Sequence, residues 1–202
     1  MLTLDLSFAS WQRAIYTVNP SDSSSPNTTF TTPANKGHEA MAYLTYIIDN
    51  YASLPSTIAF VHSHRSGFLS AWHTDTPLHS NVDSLNSLQI PFVQENGYTN
   101  LRCNWNPGCR AQHTINEHVT GEIWREIFRG TSTGKDGSDD APSRIGAGCC
   151  AQFAVSRSRV TERPLSDYEH FRQWIMDTEK TDAKSGRVFE FLWHVIFGME
   201  AV

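Results

Sequence analysis

The sequence predicts a single α/β domain with a layered, mostly parallel sheet and helices packed on both faces. Helical patterns alternate with short apolar runs along the chain, which is typical of a sheet covered by helices. The 202 residues are 39% apolar, enough for one buried core and short for two. We therefore expect one domain over residues 1–202. Ser-, Pro- and Gly-rich stretches predict flexible loops at 19–36 and 130–143.

The first half of the chain contains one strong helix pattern and one strong strand pattern. In GHEAMAYLTYIIDNY, residues 37–51, apolar side chains recur three and four positions apart, which predicts an amphipathic helix. Pro55 ends that segment, and STIAFV, residues 56–61, is typical of a buried strand. A weaker helix is predicted over 78–90, and residues 97–105 are predicted to be extended.

The second half is predicted to be mainly helical around one further strand. INEHVTGEIWREIFRG, residues 115–130, has an apolar face and predicts a helix. A strand region entered through glycines is expected at 144–160. Ser166 is a plausible cap for the helix at 167–179. The last helix, 186–200, is apolar around most of its circumference and should pack against the sheet.

Charge and hydropathy limit the partners. The net charge is −5 and the isoelectric point is about 6.0, so no general basic field favours nucleic acid. No apolar run reaches the roughly 20 residues of a membrane helix, and the start lacks a secretory leader pattern. We therefore expect a soluble, cytoplasmic protein that binds a small molecule; the oligomeric state stays open. The opening residues MLTLDLSF are typical of the middle of a structural element, so we expect that an upstream strand or anchor is missing here.

The four cysteines fall into two pairs. Cys103 and Cys109 flank an Asn-Pro-Gly turn, which favours a disulfide in an oxidising compartment and free thiols otherwise. Cys149 and Cys150 are adjacent, and we expect them to be small, inert core residues.

The segment IAFVHSHRSGFLSAWHTD, residues 58–75, is the first candidate site, because ligands gather at the carboxyl ends of strands in α/β sheets. His62 and His64 are two apart on a continuing strand, so both could bind one divalent transition metal, with His73 or Asp75 as a third ligand. The same segment could instead bind substrate, with donors from its histidines and arginine and a stacking face from its tryptophan. A third possibility is that the histidines only satisfy local carbonyl groups. In the substrate-binding alternative, the arginine that donates is Arg65 and the tryptophan that stacks is Trp72.

Further candidates lie elsewhere in the sequence. Glu190 and His194 are four apart on the last helix, so the carboxylate could orient the imidazole as a general base. Asn104 and Trp105 lie between the first pair of cysteines and are suited to substrate contact. Gln152 follows the second pair and could face a cleft.

The motifs NKGHEAMAYLTYIIDNY, LPSTIAFVHSHR, SAWH, GYTNLRCNWNPGC, CCAQFAVSRSRV and FEFLWHVIFG together resemble a mainly fungal family of uncharacterised proteins, DUF3431. The resemblance covers about Leu4 to Gly198. More distantly, the order of Asn35-Lys36-Gly37, a helix and a strand is similar to type A glycosyltransferases. In that fold the strand ends in Asp-x-Asp, whereas here it ends in His62-Ser63-His64. The resemblance implies a transferase-like core, but imidazoles suit zinc, copper or iron better than the usual Mg²⁺ or Mn²⁺.

These observations predict a natural-product enzyme of fungal secondary metabolism that catalyses cyclisation, isomerisation or condensation in a pocket lined by His, Arg and Trp. His64 or His194 would transfer the proton and Arg65 would stabilise an anion or carbonyl, while Trp72 and Trp105 would form walls. The alternatives are a metal-dependent glycosyl or other group transferase, and a non-catalytic small-molecule or carbohydrate-binding domain. A cofactor is either absent or a divalent transition metal.

Overall fold

A small three-stranded sheet lies among helices in the part of the chain that the structure describes. The structure, a computed structural model, describes residues 11–18, 30–102, 104, 118–133 and 141–202. The sheet has the order β3-β5-β4 and consists of β3 (Thr57–Phe60), β4 (Tyr98–Asn100) and β5 (Phe153–Ser156). A mixed α/β architecture is therefore confirmed. The type A glycosyltransferase core stays a prediction.

The sheet is antiparallel, so the prediction of a mostly parallel sheet is wrong. The central strand β5 runs against both neighbours, with Phe153 opposite Phe60 on one side and opposite Asn100 on the other. The apolar runs indicate buried strands, but buried central strands carry the same pattern whichever way they run. As a result, β5 begins at the edge where β3 and β4 end.

Eight helices are present among the described residues, and the predicted helices near 37–51, 115–130, 167–179 and 186–200 are among them. Their bounds are α1 (Glu39–Asn50), α2 (Phe68–Ala71), α3 (Asn81–Asn86), α4 (Ile90–Asn96), α5 (Gly121–Phe128), α6 (Arg157–Thr161), α7 (Leu165–Asp177) and α8 (Asp182–Ile196). A single 3-10 turn, Tyr51–Ser53, follows α1. The weak helix expected over 78–90 is replaced by α3 and the start of α4.

Helices cover both faces of the sheet, as predicted. On one face the ring of Phe153 contacts Tyr43 of α1 at 5.9 Å and Trp193 of α8 at 5.3 Å between centroids. On the other face Gln94 of α4 donates to the Thr57 hydroxyl at 2.7 Å. These aromatic rings belong to one hydrophobic core that also includes residues of α5 and α7. The core therefore packs α1 and α8 against one face of the sheet.

Two local predictions are corrected. Pro164, not Ser166, precedes α7 at the cap position, and no side chain caps that helix. Part of the predicted loop 19–36 is ordered, because Phe30–Thr31 forms β2 and pairs in parallel with β1 (Tyr16–Thr17). Residues 19–29 of that loop, and residues 134–140 of the loop at 130–143, lie outside the described part of the chain.

Candidate functional site

The candidate site lies at the edge where β3 and β4 end and β5 begins. Gln152, immediately before β5, connects the two outer strands at this edge. Its side-chain oxygen accepts the backbone N–H of His62 at 3.0 Å, and its carbonyl oxygen accepts the N–H of Leu101 at 2.9 Å. Gln152 is buried. It therefore fixes the backbone on which the first histidine is carried, whereas its predicted contact with a substrate in a cleft stays a prediction.

The three predicted histidines form a contact cluster, which we call the histidine cluster: His62, His64 and His73. His62 Nδ1 lies 2.9 Å from His73 Nε2, and the His64 and His73 ring centroids are 6.0 Å apart. His73 is buried, whereas His64 is exposed. The short helix α2 turns the chain back, which brings His73 against the end of β3.

Asn81 fixes the loop that carries the histidine cluster. Its side-chain nitrogen donates to the carbonyl oxygens of His62 and His64, at 3.3 Å and 2.7 Å. Its side-chain oxygen accepts the Thr74 hydroxyl at 2.7 Å, next to His73. Because one buried amide binds both ends of the loop, the histidines are held in position by backbone contacts as well as by each other.

Glu39 is a site residue that the sequence analysis did not identify. It opens α1, where a carboxylate is ordinarily explained by the helix dipole. Its Oε1 lies 4.0 Å from His62 Nε2, and the two side chains are 20% and 21% exposed. Burial, with a smaller contribution from the nearby Glu190 carboxylate, raises the pKa of Glu39 from 4.5 to about 7. The signal in the sequence was only its place one residue after His38, at the start of a helix.

The histidine pair has the opposite shift. Burial, with smaller contributions from the neighbouring His73 and His64, lowers the pKa of His62 from 6.5 to about 4. Burial also lowers the pKa of His73, as do His64 and Arg102. His62 Nε2 is buried and has no hydrogen-bond partner among the described residues. The pair is therefore neutral near pH 7, with one ring nitrogen facing Glu39 beyond hydrogen-bond distance.

A second wall of the site is formed around Arg102, just past β4. Its guanidinium lies 5.4 Å from the centre of the Trp72 ring, and its Nε lies 3.6 Å from Asp75 Oδ1. The other Asp75 oxygen accepts the backbone N–H of Asn104 at 3.0 Å. Trp72, Asp75 and Asn104 therefore lie together around Arg102. Their contact with substrate stays a prediction. The arginine that joins them is Arg102, whose position in the predicted extended segment 97–105 gave no sign of a site.

Arg65 continues the loop of the histidine cluster. It is half-buried, and its carbonyl oxygen accepts the N–H of Asn81 at 2.9 Å. The cation beside Trp72 is Arg102. The expected role of Arg65, to stabilise an anion or a carbonyl group, stays a prediction.

Glu190 belongs to the edge, but His194 does not. One Glu190 oxygen accepts the backbone N–H of Cys150 at 2.7 Å, and the other accepts from Arg187 at 2.6 Å. His194 Nε2 instead lies 3.2 Å from the carbonyl oxygen of Ala201, and burial lowers its pKa. The expected Glu190–His194 pair is corrected accordingly, because each side chain has a different partner. His194 binds the end of the chain.

The adjacent cysteines are not inert core thiols, because Cys149 and Cys150 form a disulfide. Arg102 Nη1 contacts Cys149 Sγ at 3.1 Å and Cys150 Sγ at 3.6 Å. The expectation of inert thiols followed from the usual burial of free cysteine. Adjacent cysteines in a turn can instead bond to each other, which composition does not reveal.

A metal ion bound by the histidine cluster stays a prediction. His62 Nδ1 and His73 Nε2 lie 2.9 Å apart, close enough for both to bind one ion, but among the described residues His64 does not complete a group of three close ligand atoms with them. Among the described residues, the group whose ligand atoms all lie within 4.8 Å is instead Cys149, Cys150 and Glu190. The remaining predicted positions, Trp105 and the Cys103–Cys109 disulfide, lie outside the described residues.

Comparison with known families agrees with the resemblance carried by the motifs. A family model described as "Protein of unknown function (DUF3431)" matches residues 3–202. The chain belongs to the DUF3431 family. The search of curated proteins and that of solved structures each found no match. In the described part of this DUF3431 protein, no helix is both long and apolar enough to cross a bilayer.

Proposed function

We propose that this DUF3431 protein is a small-molecule enzyme whose chemical step is a proton transfer in a cyclisation, isomerisation or condensation. The observation that carries the proposal is the pair Glu39 and His62, whose pKa values are shifted past each other to about 7 and about 4. Acid and base assignments in enzymes commonly follow from two titratable groups whose surroundings separate their pKa values. Below about pH 7 the Glu39 carboxyl group keeps its proton, and above about pH 4 the His62 imidazole is unprotonated.

The chemistry assigns complementary roles to the two groups. Between about pH 4 and pH 7, protonated Glu39 is a general acid and neutral His62 is a general base. For His62 Nε2 to accept a proton, its Nδ1 must carry hydrogen and donate to His73 Nε2. His73 then fixes the tautomer of His62. His64, the exposed member of the cluster, is suited to contact with substrate.

Arg102 supplies the electrostatic part of the proposal. A buried guanidinium that lies beside Trp72 and Asp75 can stabilise an enolate, a carboxylate or a polarised carbonyl group. Trp72 is 42% exposed and offers a face for a flat substrate. The mainly fungal motif resemblance is what suggests a substrate from secondary metabolism.

Solvent exchange tests the proposal before the substrate is known. Purified protein is incubated in D₂O with a small-molecule extract of the organism that carries the gene, and the extract is searched by mass spectrometry for metabolites that change or gain deuterium. We expect a wild-type signal that Glu39→Gln and His62→Gln both abolish. His170→Gln is the matched control, since His170 contacts the Glu126 carbonyl oxygen away from the cluster. A signal that survives both site variants would contradict the proposal.

Two outcomes distinguish the alternatives. A stoichiometric transition metal in the purified protein, lost when His62 and His64 are both replaced by Ala, would favour a metal-dependent group transferase. Binding of a metabolite without any turnover, weakened by Trp72→Ala, would favour a non-catalytic small-molecule or carbohydrate-binding domain.

A further inference from the structure

The disulfide between Cys149 and Cys150 lies in the turn before β5, on the same edge as the proposed proton-transfer groups. We propose that this disulfide is a redox-active site that exchanges electrons with dithiols. The inference does not rest on the proton-transfer function, because it is drawn from the sulfur atoms and their own neighbours. Those neighbours are Arg102 and Glu190.

The two sulfur atoms are in different surroundings, which gives the exchange a direction. Cys149 is buried, whereas Cys150 is partly exposed, so an incoming thiolate reaches Cys150 Sγ more readily. Cys149 then leaves as a thiolate. Its Sγ lies 3.1 Å from Nη1 of Arg102, whose side chain is only 4% exposed. A cation next to a sulfur favours its thiolate form and makes it a better leaving group.

The electron balance of the exchange is that of ordinary thiol–disulfide chemistry. One thiolate of the dithiol forms a bond to Cys150 Sγ, the bond between Cys149 and Cys150 breaks, and its electron pair goes to Cys149. The second thiol of the dithiol then attacks its own sulfur in the mixed disulfide and releases Cys150. The dithiol loses two electrons and becomes a disulfide. The protein gains them and takes up two protons to give the dithiol form.

The turn that carries the sulfurs is held by contacts that do not depend on the disulfide bond. Glu190 accepts the backbone N–H of Cys150 at 2.7 Å. A Cβ on Gly148 would lie 3.1 Å from the carbonyl oxygen of Arg102, so glycine allows the turn to pack against the end of β4. Cys150 has a φ of 82°, which non-glycine residues rarely adopt and which is common at functional sites. The two thiols would thus stay together, ready for oxidation.

The two pairs of cysteines lie in different tryptic peptides, so the thiols of each pair can be measured separately. Trypsin cuts after Arg144 and Arg157, which places Cys149 and Cys150 alone in peptide 145–157. It also cuts after Arg102 and Arg110, which places the other two cysteines in peptide 103–110. Wild-type protein is equilibrated without denaturant in dithiothreitol buffers of graded ratio, trapped with N-ethylmaleimide and digested. The mass of each peptide then reports its own thiols.

We expect peptide 145–157 to change from unlabelled to doubly labelled across the buffer series while the protein stays folded by circular dichroism. Double labelling in the most oxidising buffer would overturn the proposal, because no disulfide would form. The proposal would also be overturned if the peptide stayed unlabelled in every buffer until the protein was denatured. The disulfide would then be a buried structural bond.

The role of Arg102 is tested by the rate of reduction. We expect Arg102→Gln to slow reduction by dithiothreitol about tenfold, since the leaving thiolate loses its cation. Arg129→Gln, an exposed arginine next to α5, is the control and should leave the rate unchanged. Peptide 145–157 is intact in both variants. Equal rates in wild type and Arg102→Gln would overturn the assignment of Cys149 as the stabilised leaving sulfur, whereas the wild-type titration needs no variant.

Discussion

Two buried polar clusters in this protein differ in how fully their atoms are paired. In the Arg163 cluster, Arg163 donates to Asp167 at 2.9 Å, to the hydroxyls of Ser132 and Thr133, and to the carbonyl oxygen of Ile196. At the sheet edge, by contrast, the pair Glu39 and His62 is separated by 4.0 Å. His62 Nε2 has no hydrogen-bond partner in the described part of the chain.

The difference separates polar groups that hold the fold from polar groups suited to chemistry. A buried ion pair with its remaining donors satisfied is stable as it is and needs no ligand. A buried ring nitrogen without a partner is costly, so such an atom is a candidate for contact with another molecule. The shifted pKa values of Glu39 and His62 accompany this lack of pairing. Perturbed pKa values of this kind are concentrated at functional sites.

The largest expected effect comes from breaking the paired cluster. Asp167→Asn should lower the free energy of unfolding by about 3–5 kcal/mol, because it leaves the buried Arg163 charge uncompensated. The side chains of Arg163 and Asp167 are 8% and 5% exposed, so water cannot replace the lost carboxylate. The measurement is urea unfolding followed by circular dichroism.

The matched control for Asp167→Asn is Glu162→Gln, the same acid-to-amide change on an ion pair with Arg159. Glu162 is 61% exposed, so its loss should cost less than about 1 kcal/mol. If Asp167→Asn lowered the free energy of unfolding no more than Glu162→Gln, the Arg163 cluster would not be important for stability.

The second prediction concerns the pH dependence that Glu39 gives to stability. Native Glu39 has a pKa of about 7, against 4.5 without burial, so between these values the native state holds a proton that the unfolded chain has released. Stability therefore falls as the pH rises through this window. Replacing Glu39 by Gln should raise the free energy of unfolding by about 2 kcal/mol at a pH of about 8, and hardly change it at about pH 4.

His62→Gln is the counterpart, because the sign is reversed for a histidine with a lowered pKa. Unfolded His62 takes up a proton below 6.5, while the native side chain does so only near 4, so stability is lost as the pH falls through that window. In His62→Gln the free energy of unfolding should no longer fall as the pH is lowered through that window. It should still fall as the pH rises through the window of Glu39. Unfolding curves collected across the pH range measure both slopes. Identical slopes in the wild type and Glu39→Gln would show that Glu39 is not buried in its acid form.

The sequence predicted one part of this site well and another part poorly, for physical reasons. His62, His64, His73 and Trp72 follow a strand whose apolar pattern is local, so their position at its end could be inferred from spacing alone. Glu39 and Arg102 reach the same edge through the packing of α1 and the turn after β4. Contacts across such distances in sequence leave no short-range pattern. Direction is equally hidden, since a buried strand has the same apolar pattern whether parallel or antiparallel.

The helices show the same limit. α1 and α8 were predicted from apolar periodicity, which is fixed by the helix repeat. The Glu190–His194 pair was predicted from the same repeat, but the end of the chain binds His194 and a turn before β5 binds Glu190. Spacing on a helix gives the face of a side chain. The partner that it meets depends on the rest of the fold.

A third prediction asks whether Gln152 positions the site or only fills space. Gln152→Leu should lower the free energy of unfolding by about 1–2 kcal/mol, because the backbone N–H of His62 loses its acceptor at a buried edge. Gln94→Leu is the control, since Gln94 makes similar bonds on an exposed helix. Its loss should cost no more than about 0.5 kcal/mol. Equal effects of the two changes would mean that Gln152 acts only through packing.

The smallest expected effect sharpens the comparison between paired and unpaired polar atoms. The buried Tyr43 hydroxyl follows Glu39 by one helical turn and has no hydrogen-bond partner within the described residues. Burial and the Glu39 carboxylate raise the pKa of Tyr43, so the hydroxyl stays protonated. Removing an unpaired buried hydroxyl is close to neutral, so Tyr43→Phe should change the free energy of unfolding by less than about 1 kcal/mol.

The control for Tyr43→Phe is Tyr168→Phe, because the buried Tyr168 hydroxyl donates to the carbonyl oxygen of Val160 at 2.9 Å. That change should cost about 1–2 kcal/mol. Both variants are measured by urea unfolding at one pH. A loss for Tyr43→Phe equal to that for Tyr168→Phe would mean that the Tyr43 hydroxyl has a partner such as a bound water molecule. The buried polar atoms near Glu39 would then be paired more fully, as those of the Arg163 cluster are.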